Sequence, residues 1–130
     1  MFGRFFATVL LTGLLLAFGC EVTETLTSEP AFGDPYTLAD ASIPTAIAPR
    51  LDVDGLHVTV QYSGGCLSHQ FKVLFTSRGD TTEIWLHHDG NGDRCEAYLT
   101  ETLTLSVPSS VLDTENVVLL APGGAVVQLR

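Results

Sequence analysis

The chain has 130 residues, 45% of them hydrophobic, which is enough for one domain with a single core and too few for two. Fifteen acidic residues against six basic ones give a formal net charge of −9 at pH 7. This balance argues against nucleic acid and against anionic lipid headgroups as partners, because both attract a positively charged surface.

The first 19 residues have the features of an export signal. Arg4 supplies a short positive start, and residues 9–18 are almost entirely apolar. This apolar run is too short to span a bilayer as a helix, and small residues follow it, as at a cleavage site. We therefore expect the protein to leave the cytoplasm.

Residues 14–20 read LLLAFGC, which resembles the lipobox of bacterial lipoproteins, although Ala17 and Phe18 depart from its commonest residues. The resemblance implies that residues 1–19 are removed and that Cys20 becomes the lipidated first residue. Acyl chains such as palmitate would then anchor the protein to a membrane of the bacterial cell envelope. Glu21 is not the aspartate that marks inner-membrane retention, which favours the outer membrane in a Gram-negative cell. The alternative is an ordinary secretory signal cleaved elsewhere.

The cysteine count predicts one disulfide. Once Cys20 is assigned to lipid, Cys66 and Cys95 form an even pair in an oxidising compartment. Their bond would join the two ends of the intervening hairpin and stabilise the domain by about 3 to 4 kcal/mol on the chain-entropy model.

Residues 20–50 predict a lipid-anchored tether. Thr, Glu and Pro dominate this stretch, and such a composition buries too little apolar area to offset the entropy of ordering. A weaker pattern from about Tyr36 to Ile47 is compatible with a first edge strand that packs on the domain.

From residue 51 onward the hydrophobic pattern alternates with a period of two, which is typical of half-buried strands. The alternating segments are 56–62, 71–75, 82–86, 97–107 and a last hairpin formed by 116–121 and 125–129. No segment predicts an amphipathic helix of useful length. The pattern predicts an all-β domain over residues 51–130, a small antiparallel β-sandwich of immunoglobulin-like architecture.

The central hairpin has a predicted register. A turn centred on Arg78-Gly79 would place Phe71 opposite Leu86, Val73 opposite Ile84 and Phe75 opposite Thr82. The same register places His69 directly opposite His88, with Cβ atoms roughly 4.5 to 5.5 Å apart.

The two histidines and the loop Asp89–Asp93 form the most specific candidate site. His69 and His88, with Asp89 or Asp93 as a third ligand, suit zinc or copper. The structural alternative is that the histidines cap the end of the core and bond to each other or to the loop. Reduced cysteines as further ligands are disfavoured by the oxidising compartment.

The loop sequence DGNGD also matches the first three ligand positions of a D-x-N-x-D calcium loop. An EF-hand needs glycine at the sixth position and glutamate at the twelfth, where Arg94 and Thr100 stand. A different calcium loop completed by Glu96 or Glu101 stays open, beside the simpler interpretation of a glycine-rich polar turn.

Catalytic patterns are weaker. Ser68 adjoins His69 without the strand-turn-helix context of a nucleophile elbow, and the carboxylates lie in turns rather than apolar pockets. The tripeptide Arg78-Gly79-Asp80 coincides with an integrin-binding motif. We expect it to form the hairpin turn instead. We expect a non-catalytic binding module with an envelope protein or glycan as partner. A metal-binding protein is the alternative, and a metal-dependent hydrolase is a distant third.

Overall fold

A computed structural model describes residues 29–130, so the predicted export signal and Cys20 lie outside the described residues. The strands are β1 (Thr37–Leu38), β2 (Arg50–Asp52), β3 (Gly55–Gly64), β4 (Gln70–Arg78), β5 (Thr81–Asp89), β6 (Ala97–Leu105), β7 (Asn116–Leu120) and β8 (Val126–Gln128). A short helix α1 (Ser109–Leu112) precedes β7, and a 3-10 turn (Pro122–Gly124) follows it. Within residues 29–130, no helix has the length and apolarity that crossing a membrane requires.

The strands form two sheets, which confirms the predicted all-β sandwich. In the first sheet β3 pairs along its whole length with β6, while β1 and β2 pair with its other edge. The second sheet has the order β4-β5-β7-β8, and its β5–β7 pair is parallel, unlike the other named pairs. The β5–β7 pair is parallel, whereas the sequence pattern predicted antiparallel pairing. After β5 the chain crosses to the first sheet and runs back along it as β6. It then returns to the second sheet through α1, so β7 starts at the same end of the sandwich as β5.

Alternate residues of the long strands fill the core between the sheets. Leu56, Val58 and Val60 of β3 are fully buried and belong to one cluster with Ile84 and Leu86 of β5. Burying one such aliphatic side chain contributes about 1.5 to 3 kcal/mol, so this cluster is the main apolar contribution to stability.

The fold begins before residue 51, so the tether predicted for residues 20–50 is too long. The Tyr36 side chain is 4% exposed, and its hydroxyl donates to a backbone carbonyl of β5 at 3.0 Å. The predicted edge strand is present as β1, which pairs with β3. The chain just before Tyr36 also hydrogen-bonds to the backbone of His88. One buried aromatic ring and a two-residue strand are too short to produce a periodic hydrophobic pattern. For this reason the composition of the segment predicts a tether.

The central hairpin is shifted by two residues from its predicted register. Its turn is Gly79-Asp80, with Phe71 opposite His88, Val73 opposite Leu86 and Phe75 opposite Ile84. Gly79 has a φ of 64°, a left-handed conformation that glycine adopts without steric cost. A shift of two keeps the same side chains on the core face, whereas a shift of one would reverse them. His69 consequently lies beyond the end of β4 rather than directly opposite His88.

Candidate functional site

The candidate site lies at the end of the sandwich where two connections cross between the sheets. The β3–β4 connection contributes Cys66 and His69, and the β5–β6 connection contributes Asp93 and Cys95. The predicted disulfide is confirmed: it joins Cys66 to Cys95, whose Cα atoms are 5.8 Å apart. The segment before β1 borders the site through Asp34.

Asp93 is the most highly bonded residue of the site, and its side chain is 0% exposed. Its Oδ2 accepts backbone N–H groups from Gly65, Cys66 and Leu67, and its Oδ1 accepts the N–H of Cys95, each at 2.9 Å. His69 Nε2 lies 3.0 Å from Oδ2. These contacts, the N–H of Leu67 first among them, hold the pKa of Asp93 far below its ordinary value, so the carboxylate is ionised. The side chain occupies the place of an anion in a backbone nest.

His69 and His88 form a hydrogen-bonded pair. Nδ1 of His69 lies 2.8 Å from Nε2 of His88, and Nδ1 of His88 lies 3.1 Å from the backbone carbonyl oxygen of Asp34. Together with Asp93 they form an unbroken chain from carboxylate to imidazole to imidazole to carbonyl. Both histidines are nearly completely buried: the side chain of His69 is 3% exposed, and His88 is 2% exposed.

The hydrogen-bond partners indicate which roles the outer nitrogens of the two rings have. The Asp34 carbonyl only accepts, so His88 Nδ1 carries a hydrogen, and the ionised Asp93 only accepts, so His69 Nε2 carries one. The two rings also contact each other, with Nδ1 of His69 2.8 Å from Nε2 of His88.

Aromatic rings enclose this pair. Phe71 stacks on His88 with ring centroids 4.3 Å apart, and Tyr62 lies 4.7 Å from His69 by the same measure. Tyr36 contacts His88 edge-on at 6.0 Å. The apolar surroundings exclude water, which strengthens a satisfied hydrogen-bond chain and makes an unsatisfied one costly. The shifted hairpin register is part of this arrangement, because it sets Phe71 opposite His88.

The structure brings His69, His88 and Asp93 together, but their ligand atoms already have partners. All four ring nitrogens take part in hydrogen bonds. Two nitrogens on one tetrahedral zinc, each about 2.0 to 2.1 Å from the ion, would lie about 3.3 Å apart. The facing nitrogens are 2.8 Å apart, and Asp93 binds the opposite nitrogen of His69. Metal binding here would require this chain of bonds to open, and it stays a prediction.

Two other clusters in the described part of the chain place three possible ligand atoms within 4.8 Å of one another. One consists of Cys66, Asp93 and Cys95, and its two cysteine sulfur atoms form the disulfide. The other consists of Asp52, Asp54 and His57 at the opposite end of the sandwich. There the Asp52 carboxylate binds Arg50 at 2.6 Å and His57 at 2.9 Å.

Asp89 lies apart from the histidine pair. Its exposed carboxylate accepts the N–H of Asn91 at 2.8 Å, and Asn91 has a φ of 54°. Both oxygens of Asp93 point inward to backbone N–H groups, and Glu101 accepts the Tyr62 hydroxyl at 2.6 Å. Asp89, Asp93 and Glu101 thus have separate partners, and the geometry resembles the polar turn that the sequence also allowed.

Asp34 is the site residue that the sequence analysis missed. Its carbonyl accepts from His88, and its Oδ2 accepts the N–H of Gly90 at 2.7 Å. With Ser63 and the histidines it lines a cleft of about 230 Å³. Asp34 lies in the segment interpreted as a tether, where the only sequence signal of burial is the nearby Tyr36.

Comparisons of the chain with protein-family models, with curated proteins and with solved structures find no match. The functional interpretation therefore depends on the residues and their geometry.

Proposed function

We propose that the protein is a bacterial cell-envelope lipoprotein, anchored through Cys20, that displays a small β-sandwich as a non-catalytic binding module. The observation that carries this proposal is that every ring nitrogen of His69 and His88 has an internal partner. A metal ligand needs one free ring nitrogen, and each nitrogen of this pair already has a partner. The most reactive groups of the described domain are thus committed to holding the fold.

We call Asp34, His69, His88 and Asp93 the polar clamp. It links three segments that are distant in sequence: the chain before β1, the β3–β4 connection and the β5–β6 connection. A rigid end of this kind suits a module that presents a fixed surface, because a pre-organised surface loses less entropy when it binds.

The anchor is supported by the LLLAFGC sequence. Within residues 29–130, the backbone hydrogen bond nearest the N-terminus is made by Phe32, whose carbonyl accepts the N–H of His88. The twelve residue-to-residue steps from Cys20 to Phe32 could span at most about 43 Å when fully extended. The domain would therefore be displayed close to the membrane surface, and its acidic character would keep it off anionic headgroups.

The anchor is tested by metabolic labelling with a palmitate analogue in a bacterial host. The wild-type chain should take up label and partition into detergent, and Cys20→Ser should do neither. The double variant Cys66→Ser/Cys95→Ser is the matched control, because it removes the other two cysteines and should still be labelled. Label that persists in Cys20→Ser would refute the anchor.

The binding module is separated from the metal-binding alternative by the double variant His69→Gln/His88→Gln. If these residues bind metal, the wild-type protein purified without chelator should retain zinc, copper or calcium in a native mass spectrum, and the variant should lose it. Under our proposal neither protein retains a stoichiometric metal after exchange into volatile buffer. A stoichiometric, acid-removable ion on the wild type alone would favour the alternative.

A further inference from the structure

The outward side of the first sheet is uncharged over a continuous area. The pairing of β3 with β6 sets Ser63 beside Tyr98 and Gln61 beside Thr100, with Thr102 next along β6. Strand β1 adds Thr37 beside Gln61. We call Thr37, Gln61, Ser63, Tyr98, Thr100 and Thr102 the hydroxyl face: five carry a hydroxyl group, one carries an amide, and none is charged. This is notable in a chain with fifteen acidic residues.

Hydrogen bonds between neighbouring strands hold part of the hydroxyl face in place. Gln61 Nε2 donates to the Thr100 hydroxyl at 3.1 Å, and the Thr102 hydroxyl contacts that of Thr59 at 2.9 Å. Thr59 is 2% exposed, and its hydroxyl also accepts the backbone N–H of Ile47. Outward side chains recur about every 6.6 to 6.8 Å along a strand, so these groups form a flat, regularly spaced array.

Tyr98 stands at one end of this array and is 65% exposed. Beside it is a shallow cleft of about 140 Å³, lined by Pro35, Thr37, Gln61, Ser63 and Tyr98 above the buried Tyr36 and Tyr62. The lining therefore combines an exposed aromatic ring with uncharged hydrogen-bonding groups. A tyrosine ring offers a large rigid contact surface with little entropy to lose, which is why tyrosine is enriched at binding surfaces.

We propose that the hydroxyl face binds a neutral glycan. The ring of Tyr98 would stack on the C–H face of a sugar, while Gln61, Ser63 and the threonines exchange hydrogen bonds with its hydroxyl groups. The absence of charge on the face matches a neutral polymer, whereas an acidic polymer would meet repulsion from a chain of net charge −9. This inference rests on the proposed binding function and names the class of ligand.

The test uses the full exported chain in mild detergent and three polymers. Chitin and amylose are neutral probes with and without N-acetyl groups, and polygalacturonate is an acidic control. The wild type should be retained by at least one neutral polymer and not by polygalacturonate, and the polymer that retains it identifies the sugar type. Retention by polygalacturonate alone, or by none of the three, would overturn the inference. Cys20-dependent labelling is measured separately, so a failed glycan test leaves the anchor unaffected.

Matched variants locate the site. Tyr98→Ala should weaken retention about tenfold or more, since losing a ring contact worth about 1.4 kcal/mol changes affinity tenfold, and Tyr98→Phe should stay close to wild type. Thr100→Val should weaken retention, whereas Thr104→Val, on the same strand but about 20 Å from Tyr98, should not. Equal retention of Tyr98→Ala and wild type would refute this location. Retention of an envelope protein that depends on Tyr98, without any polymer binding, would show that the face is a protein-binding surface instead.

Discussion

The two ends of the sandwich are held together in different ways. At the end with the polar clamp, the hydrogen-bonded side chains of His69 and Asp93 are 3% and 0% exposed, and the disulfide lies beside them. At the opposite end, the ion pair between Arg78 and Glu83 is 46% and 21% exposed, and it lies next to the two-residue turn that joins β4 to β5. The clamp end has a buried polar contact and a covalent cross-link, whereas the opposite end has an exposed ion pair, two short turns and the connection that contains α1.

This difference follows from the connections at each end. Two hairpins at the opposite end, β2–β3 and β4–β5, have two-residue turns, which keep neighbouring strands together at little entropic cost. The chain crosses between the sheets twice at the clamp end, through residues 65–69 and 90–96, and once at the opposite end, through residues 106–115 with α1. Asp93 accepts the N–H groups of both disulfide cysteines, so the covalent and polar links join the same two connections. The clamp and the disulfide therefore reinforce each other.

The largest expected effect comes from breaking the disulfide. Cys66→Ser/Cys95→Ser should lower the free energy of unfolding by about 3 to 4 kcal/mol, because the bond closes a loop with a sequence separation of 29 residues. Urea unfolding under oxidising conditions measures this, and the wild type in reductant should show a similar loss. A loss below about 1 kcal/mol would mean that the polar clamp alone fixes this end.

Truncating the centre of the clamp should have the next largest effect. His88→Ala should cost about 2 to 4 kcal/mol, because it leaves a cavity beside Phe71 and removes the partners of His69 and the Asp34 carbonyl. Urea unfolding again gives the value. The matched control is His87→Ala on the outward face of the same strand, which should cost less than about 1 kcal/mol. Equal losses in the two variants would show that the clamp contributes nothing specific.

The clamp also shows how far sequence reasoning extends. The disulfide and the long strands were predictable, because paired cysteines and period-two alternation are visible in the chain itself. The proximity of His69 and His88 was predicted as well, although from a register two residues away from the true one. The register differs by two because Gly79 rather than Arg78 begins the turn. The predicted proximity held because a shift of two preserves the face of every side chain.

What the sequence did not predict comes from tertiary contacts of short segments. Asp34 and Tyr36 lie among prolines and polar residues, with no periodicity to indicate that they pack against β5. Nor does the sequence indicate which atoms of Asp93 face which donors. The nest at residues 65–67 depends on backbone conformation, including a φ of 115° at Gly65. The metal hypothesis arose from residue types, and only atom positions reveal that their ligand atoms already have partners.

Acid should weaken the clamp through Asp93. Its pKa in the folded state lies below the unfolded value of about 3.9, so the unfolded chain takes up the proton first as the pH falls. The stabilisation is complete above about pH 5 and decreases as the pH falls toward the folded pKa. Asp93→Asn, which cannot titrate, should therefore be most destabilised at pH 7, and its urea midpoint should approach that of the wild type at pH 3.

The control for this prediction is Asp89→Asn, which removes one negative charge from the same loop without touching the clamp. At pH 7 it should unfold at nearly the wild-type urea concentration. A constant difference between Asp93→Asn and wild type at all pH values would contradict the role of the ionised carboxylate, because that difference should shrink on acidification.

The smallest effect is expected at the opposite end of the sandwich. Arg78→Ala removes an ion pair of 2.8 Å whose arginine side chain is 46% exposed. Exposed pairs of this kind contribute about 0 to 1 kcal/mol, because water screens the charges and ordering both side chains costs entropy. The free energy of unfolding should change by less than about 1 kcal/mol, and 1 M salt should remove most of the difference. A loss as large as that of His88→Ala would mean that this end depends on its ion pair as strongly as the other end depends on the polar clamp. The turn at Gly79 would then not be sufficient to close this end.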